Sequence, residues 1–275
     1  MSPARPREAW PTRLVILGAP VAHSLSPVFQ NAALAAAGIP LTYERLHVEP
    51  SEFARAFAAL TAAGAAGNVT IPHKEAAAAA CDRLAPVARR VGAVNTFWRE
   101  DGETVGDNTD VGGFTVMARE LLGGEPASPR IALLGAGGAA AAVLAAATDW
   151  TAREIRVHAR TPARAEQLAA RLGLACTVTT TPEEAVDGAD LVVNATPVGL
   201  HDETLPVRVD ALREDAAVLD LIVRRDETPL VRAARARGLR ATGGRPMLLE
   251  QGALAFARWF GVEPDRDVMR RALAG

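Results

Sequence analysis

The stretch Arg130-Ile-Ala-Leu-Leu-Gly-Ala-Gly-Gly-Ala-Ala-Ala-Ala-Val143 decides the fold of this chain. Residues 131–134 are a short apolar run, typical of a strand buried on both faces. Gly135, Gly137 and Ala140 then form a G-x-G-x-x-A turn, and the alanines that follow predict a helix. Such a turn bends sharply, lets the backbone approach a pyrophosphate and offers the free N–H groups of a helix start to it. The pattern predicts a dinucleotide site, and the alternative is a tight strand–helix turn without a ligand.

The totals limit the class of protein. A chain of 275 residues is long enough for two domains, and a net charge of −2 argues against a nucleic-acid partner. Cys81 and Cys176 lie far apart without a C-x-x-C motif, so we expect no disulfide, no metal site and a cytoplasmic protein. Residues 1–13 lack the apolar core of a secretory signal, and the weakly polar run 131–148 is cut by the turn, so no membrane partner is expected.

Lysine occurs once in this sequence. Lysine and arginine together number 30, and Lys74 is the only lysine among them. Because arginine serves wherever a surface cation suffices, Lys74 is predicted to do what arginine cannot, which is to exchange a proton. It precedes a predicted helix over 75–84, where the helix dipole disfavours a cation, and this indicates function rather than stability. The alternative is the chance survival of one lysine. His73 beside it is predicted to be a packing residue.

The residues before Lys74 predict a strand over 68–72. Val69 and Ile71 would share its apolar face, while Asn68 and Thr70 would share the other face. A further strand candidate, residues 13–17, leads into the loop that contains S-L-S-P. There Pro27 is predicted to be the first residue of a helix.

Two serines stand at the start of that helix. Ser26 is predicted to be its N-cap, which would account for its hydroxyl fully. Ser24 has no capping task at its spacing and is therefore the better ligand candidate.

A polar cluster, Gly-Asp-Asn-Thr-Asp over 106–110, is too rich for a plain turn. Asp107, Asn108 and Asp110 could cap a helix over 112–121, and for Asp107 capping could be the whole role. The first domain is expected to end here.

The strand predicted over 154–159 ends without the carboxylate that holds a ribose 2′-hydroxyl in NAD-type folds. Arg160 and Arg164 stand there instead, with Thr161 between them. Two guanidinium groups suit a 2′-phosphate, so NADP is the predicted cofactor. The alternative is a solvated helix start.

Together these motifs resemble the shikimate dehydrogenase family, and the resemblance spans nearly the whole chain. The order of the motifs matches as well: S-L-S-P, N-V-T-I-P-H-K, G-A-V-N-T, G-D-N-T-D, G-A-G-G-A, A-R-T-x-x-R, N-A-T-P-V-G and M-L-L-E-Q.

The resemblance implies an α/β protein with two domains and a cleft between them that holds both ligands. Residues 1–111 and 247–275 would form a substrate domain with a mixed sheet, and 112–246 a Rossmann-like NADP-binding domain. The implied activity is the NADPH-dependent, reversible reduction of 3-dehydroshikimate to shikimate in chorismate and aromatic amino acid biosynthesis. A quinate or aminoshikimate dehydrogenase and a catalytically idle NADP-binding regulatory protein are the alternatives. The sequence leaves open whether the chain forms a homodimer.

The resemblance also implies roles for individual residues. The catalytic pair would be Lys74 and Asp110. The substrate would be bound by Ser24, Ser26, Asn68, Thr70, Asn95 and Gln251, together with the catalytic pair. The cofactor would be bound by Gly135, Gly137, Gly138, Ala139, Arg160, Thr161, Arg164, Thr196, Pro197, Val198, Ile222 and Gly244.

Two positions depart from the family pattern. Val223 stands where many members have a tyrosine whose phenol helps to hold the substrate carboxylate, which bears on substrate affinity. Ala159 stands where many have asparagine, which weakens the cofactor site slightly without removing its charge.

Overall fold

The computed structural model describes residues 10–275 of the chain. The chain divides into two compact units, of which the first comprises the chain up to Gly113 together with Leu249–Gly275. The second unit comprises Phe114–Leu248. The boundaries implied by the family resemblance lie after residues 111 and 246. No helix of residues 10–275 is long and apolar enough to cross a membrane.

The elements alternate along the chain in the manner of an α/β protein. The strands are β1 Leu14–Gly18, β2 Tyr43–His47, β3 Ala66–Val69, β4 Arg83–Leu84, β5 Thr96–Glu100, β6 Glu103–Asp107, β7 Arg130–Leu134, β8 Glu154–His158, β9 Thr177–Thr179, β10 Leu191–Asn194, β11 Ala217–Asp220 and β12 Arg240–Thr242. The helices are α1 Ser26–Ala36, α2 Phe53–Ala62, α3 Lys74–Ala80, α4 Pro86–Val91, α5 Thr109–Leu122, α6 Gly138–Asp149, α7 Pro162–Leu172, α8 Pro182–Val186, α9 Pro229–Ala236, α10 Arg245–Phe260 and α11 Arg266–Ala274.

The first unit contains a mixed sheet in the order β2-β1-β3-β5-β6-β4. Strand β1 runs parallel to both of its neighbours, whereas β5 runs antiparallel to β3 and to β6. The hairpin between β5 and β6 turns at Asp101 and Gly102, which have φ angles of 52° and 82°. Positive φ at both central residues is typical of a type I′ turn.

The second unit contains a sheet in the order β12-β11-β10-β7-β8-β9, and all of its strands are parallel. Counted from β7, this is the order 6-5-4-1-2-3 of a dinucleotide-binding fold. The alanine-rich helix α6 is buried from Ala140 to Ala147. Small side chains let this helix lie close to the sheet.

The segment after Lys74 differs from the prediction. The helix was expected to run to residue 84, but α3 ends at Ala80 and Cys81 is extended. Arg83 and Leu84 instead pair in parallel with Val105 and Gly106 of β6. Pairing with a strand distant in sequence therefore overrides the helical preference of the alanine run.

Ile71 also differs from the prediction. Strand β3 ends at Val69, and the peptide between Ile71 and Pro72 is cis. Ile71 has therefore left the alternation of the strand, and it is 67% exposed instead of sharing the buried face of Val69.

The environment of Cys81 generates a first prediction. Burial raises the pKa of this thiol to about 12, and the Asp82 carboxylate adds to the effect. Only a thiolate attacks a disulfide reagent, so in the native protein at pH 8 Cys81 should react at roughly a thousandth of the rate of a free cysteine. A Cys176→Ser variant, titrated with a chromogenic disulfide, isolates this thiol, and the urea-unfolded variant is its control. Fast labelling of the native variant would contradict the prediction.

Candidate active site

The polar motifs of the first unit meet at one edge of its sheet. The S-L-S-P loop follows β1, Thr70 and Lys74 follow β3, and the loop to Asp110 follows β6. Because β5 is antiparallel to its neighbours, its first residues lie at this same edge. Asn95, directly before β5, thus comes beside the ends of the other strands. The topology explains why motifs distant in sequence are gathered here.

Lys74 and Asp110 form an ion pair at this edge. The Lys74 Nζ lies 2.5 Å from Asp110 Oδ2, and the two side chains are only 18% and 11% exposed. Lys74 is the first residue of α3, whereas Asp110 lies in the first turn of α5, where the helix dipole favours a carboxylate. The α5 helix starts at Thr109, three residues earlier than predicted, because the Asn95 Oδ1 accepts from the Thr109 N–H at 2.7 Å.

The amide of Asn95 connects the ion pair to the C-terminal part of the chain. Its Nδ2 donates to Asp110 Oδ1 at 2.9 Å and to Gln251 Oε1 at 3.3 Å. Thr109 Oγ1 lies 2.9 Å from Asn95 Nδ2 and 3.2 Å from its Oδ1. Lys74, Asn95, Asp110 and Gln251 therefore form one hydrogen-bonded cluster, and all four are residues that the family resemblance assigns to substrate binding or catalysis.

The two serines of S-L-S-P have different tasks from those predicted. Helix α1 begins at Ser26 itself, which is buried, and Leu25 occupies the cap position without a side-chain hydrogen bond. The Ser24 Oγ, expected to have no task at the helix start, accepts from the Ser26 N–H at 3.3 Å. The prediction that Ser26 is the N-cap was wrong, because the turn before the helix is closed by a hydroxyl two residues upstream.

Thr70 lies next to this loop. Its N–H donates to the Leu17 carbonyl at 2.8 Å, which holds the end of β3 beside the end of β1. A Cβ at Gly18 would lie 2.4 Å from the Thr70 Cγ2, so this close approach requires a glycine. Asn68, two residues earlier in β3, is buried, and its Nδ2 donates to the Asn95 carbonyl at 3.0 Å.

Sequence reasoning missed two side chains that hold these residues. The Tyr43 hydroxyl donates to Asn68 Oδ1 at 2.6 Å, and Arg45 donates twice to the Ser24 carbonyl, at 3.0 and 2.7 Å. Tyr43 is the only tyrosine of the chain, which was a signal comparable to the single lysine. Arg45 is one of many arginines and carried no such signal.

Asp107 does not supply the predicted helix cap, because the N–H that it binds belongs to Asn108, which precedes α5. Its Oδ1 accepts from the Asn108 N–H at 2.7 Å, and its Oδ2 lies 2.9 Å from Arg258 Nε on α10. The Asn108 Oδ1 in turn accepts from the Asp110 N–H at 3.1 Å. Of the three capping candidates, Asn108 therefore caps α5, whereas Asp107 forms an ion pair with Arg258 of α10. His73 is buried and stacked on Phe53, as the packing prediction stated.

The cofactor candidates all lie in the second unit. Gly135 has a φ of 114°, and a Cβ there would lie 2.8 Å from the Ala195 carbonyl oxygen, so the turn between β7 and α6 requires glycine. Gly137 caps α6 without a side-chain hydrogen bond, and a Cβ there would meet no protein atom within 4 Å. Gly138 and Ala139 follow as the first residues of α6. The open space and the free N–H groups of a twelve-residue helix fit a pyrophosphate.

Arg160, Thr161 and Arg164 follow the neighbouring strand β8, and all three are exposed. The Gly135 N–H donates to the His158 carbonyl at 2.8 Å, so these residues belong to the same sheet edge as the glycine turn. Neither arginine forms an ion pair with a carboxylate within the described part of the chain. Two exposed guanidinium groups at this edge suit a 2′-phosphate, so the residues present fit NADP.

The N-A-T-P-V-G loop after β10 is held by a chain of hydrogen bonds. Asn194 Oδ1 accepts from the N–H and the hydroxyl of Thr196, at 3.0 and 2.7 Å, and Thr196 Oγ1 accepts from the Val198 N–H at 3.2 Å. Asn194 Nδ2 donates to Asp220 Oδ1 at 2.9 Å. Burial raises the pKa of the Asp220 carboxyl above its ordinary value, against the hydrogen bonds that it accepts. Thr196, Pro197 and Val198 thus lie at the switch point between β10 and β7, where parallel sheets bind ligands.

Ile222 and Gly244 lie close together after β11 and β12. The Gly244 N–H donates to the Ile222 carbonyl at 3.0 Å, and a Cβ on Gly244 would lie 2.4 Å from the Leu221 carbonyl oxygen. Val223 is half-buried and carries no hydroxyl.

Three models of known protein families match parts of this chain. A model of the shikimate dehydrogenase substrate binding domain matches residues 16–97, and a model of the shikimate 5′-dehydrogenase C-terminal domain matches residues 244–274. A third model, of the coenzyme F420-dependent NADP oxidoreductase family, matches residues 130–224 in the second unit.

Individual relatives cover almost the whole chain. The shikimate dehydrogenase (NADP(+)) of Rubrobacter xylanophilus is 48% identical over 98% of both proteins. The structure of shikimate 5-dehydrogenase from Thermus thermophilus in complex with NADP(H) and shikimate is 40% identical, with a TM-score of 0.85 over 95% of this chain and 98% of that one. A quinate dehydrogenase from Corynebacterium glutamicum in complex with NAD is 29% identical, with a TM-score of 0.87 over 95% and 98%. The strand orders of both units, the family models and these identities lead to one conclusion: the chain belongs to the shikimate dehydrogenase family.

Proposed function

We propose that this chain catalyses the reversible, NADPH-dependent reduction of 3-dehydroshikimate to shikimate, a step toward aromatic amino acids. The observation that carries the proposal is the partly buried Lys74–Asp110 pair, bonded through Asn95 to Gln251. Such a cluster offers an ammonium, a carboxylate and two amides to a polyhydroxylated ring.

Lys74 is the proposed proton donor. NADPH, when bound, supplies the hydride that reduces the C3 carbonyl carbon. The Lys74 ammonium gives its proton to the carbonyl oxygen, which becomes the new hydroxyl, and the neutral amine takes the proton back in the oxidation direction. Positioned proton transfer contributes about 10²–10⁴-fold, and the ammonium also stabilises the developing negative charge.

Asp110 and the amides are proposed to orient the ring and the amine. Asp110 Oδ2 keeps the Lys74 Nζ in one place, while Asp110 Oδ1 is held by Asn95. Asn95 and Gln251 then contact ring hydroxyls. Ser24, Ser26, Thr70 and Asn68 are proposed to receive the carboxylate at the neighbouring strand ends.

The cofactor roles rest on the second unit. We propose that Gly135, Gly137, Gly138 and Ala139 hold the pyrophosphate, and that Arg160, Thr161 and Arg164 hold the 2′-phosphate. The remaining lining residues are proposed to be Thr196, Pro197, Val198, Ile222 and Gly244.

Replacing Lys74 tests the chemistry. Lys74→Ala should lower kcat for shikimate oxidation at least about 100-fold with a modest change in KM, because the proton acceptor is lost while most binding contacts remain. The measurement is NADP reduction at alkaline pH, followed by the absorbance of the reduced nicotinamide. A panel that includes quinate identifies the preferred ring.

Lys74→Arg is the matched variant, because it keeps the charge but cannot release a proton at working pH. It should be as slow as Lys74→Ala. Near wild-type turnover by Lys74→Arg would reduce the role of Lys74 to charge stabilisation.

Replacing Arg160 tests the cofactor preference. Arg160→Ala should raise KM for NADP by about 10- to 100-fold, the value of one charge-assisted hydrogen bond, and leave KM for NAD nearly unchanged. Arg153→Ala, which removes an exposed arginine from the loop before β8, is the control and should alter neither constant. Equal losses for NADP and NAD in Arg160→Ala would refute the 2′-phosphate role.

A further inference from the structure

Tyr43 lies in the interior of the first unit, away from any solvent. It is 1% exposed and stacks on Trp259, with ring centroids 5.7 Å apart and planes 27° apart. The Asn31 side chain binds the backbone of Tyr43 twice: its Oδ1 accepts from the Tyr43 N–H at 2.8 Å, and its Nδ2 donates to the Tyr43 carbonyl at 3.1 Å. The phenol ring is therefore fixed in position.

Within residues 10–275, the hydroxyl of Tyr43 has one hydrogen-bond partner, the side chain of Asn68. The distance from Tyr43 Oη to Asn68 Oδ1 is 2.6 Å. Burial raises the pKa of the Tyr43 phenol well above its ordinary value, so the hydroxyl keeps its proton. It can thus donate a hydrogen bond at any pH at which the enzyme would work.

The orientation of the Asn68 amide follows from its two partners. The Asn95 carbonyl can only accept, so the Asn68 Nδ2 must face it, at 3.0 Å. The Asn68 Oδ1 then faces the Tyr43 hydroxyl, which donates. A flipped amide would set two oxygens against each other at Asn95. The second hydrogen on Asn68 Nδ2 is the donor that these contacts leave unused.

We infer that Tyr43 is a positioning residue for the substrate, which acts by locking the Asn68 amide with its NH₂ group as a donor to an anionic group of the ligand. This inference rests on the proposed function, in which Asn68 lies beside the bound carboxylate. Tyr43 touches neither substrate nor cofactor, so its effect falls on substrate affinity and leaves hydride and proton transfer alone.

Tyr43→Phe is the direct test, because it removes one oxygen and retains the ring that stacks on Trp259. We expect KM for shikimate to rise about tenfold, the factor for one hydrogen bond, with kcat changed less than about twofold and KM for NADP unchanged. In an Asn68→Ala background the same substitution should raise KM no further, because the group that Tyr43 positions is absent.

The control is Thr61→Val, which removes another buried hydroxyl of the same unit, bonded to the Ala58 carbonyl in α2. It should leave KM for shikimate unchanged even where the melting temperature falls. The inference would be overturned if Tyr43→Phe raised KM equally in the wild-type and Asn68→Ala backgrounds. It would also be overturned if Thr61→Val raised KM as much as Tyr43→Phe does.

A second measurement does not depend on a substituted protein. Because Tyr43 is the only tyrosine, biosynthetic fluorotyrosine gives a single ¹⁹F resonance for the whole enzyme. That signal should move on saturation with shikimate, and no movement would contradict the inference. A wild-type enzyme that does not oxidise shikimate would overturn the proposed function, whereas an active wild type with an unaltered Tyr43→Phe variant would overturn only the role of Tyr43.

Discussion

The ion pair between Lys74 and Asp110 constrains much of the first unit. Charges shielded from water are stable only where the attraction is supplemented by hydrogen bonds that replace lost hydration. Asp110 has such support, since Asn95 donates to one of its oxygens and the first turn of α5 offers a favourable dipole. Removing either partner would leave a partly buried charge uncompensated. The neighbouring amides are therefore part of what allows the pair to exist.

The hydrogen bonds that support the ion pair extend to Gln251, near the C-terminal end of the chain. It lies 156 positions from Asn95, so the distance between their side chains is set by the placement of α10. That helix is fixed at three points: the Gln30 side chain donates to the Gly252 carbonyl, the Trp259 indole donates to the Thr96 hydroxyl, and Arg258 pairs with Asp107. A Cβ at Gly252 would lie 2.4 Å from the Phe29 ring, so the approach of α10 to α1 leaves no room for a side chain. The packing of α10 against α1 and the sheet thus determines the distance between Asn95 and Gln251 in the hydrogen-bonded cluster.

Features that depend on neighbouring residues could be predicted from the sequence. The glycine turn, the parallel sheet around it and the prominence of Lys74 all follow from residues near one another in sequence, where turn geometry and residue type are directly informative. The roles of Ser24 and Ser26 were exchanged because two hydroxyls two residues apart could each close the turn, and only the backbone decides between them. The strand at Arg83 depends on pairing with β6, and the exposure of Ile71 depends on where β3 ends. Neither can be recognised from the residues nearby in sequence. Tyr43 was missed for the same reason, since its partner Asn68 lies 25 positions away.

The candidate anion-binding groups of the two units differ in physical character. In the first, the amides of Asn68, Asn95 and Gln251 are buried and hydrogen-bonded, and the ion pair is partly buried, so these side chains have little conformational entropy to lose on binding. In the second, the charge candidates Arg160 and Arg164 are exposed and the glycine turn contributes backbone N–H groups. A rigid network discriminates by geometry, because an ill-fitting ligand leaves buried polar groups unpaired. Exposed guanidinium groups discriminate between ligands by charge, and this selectivity is little affected by substitutions at neighbouring residues. Ala159 in place of an amide, beside these exposed arginines, should therefore matter little to cofactor choice.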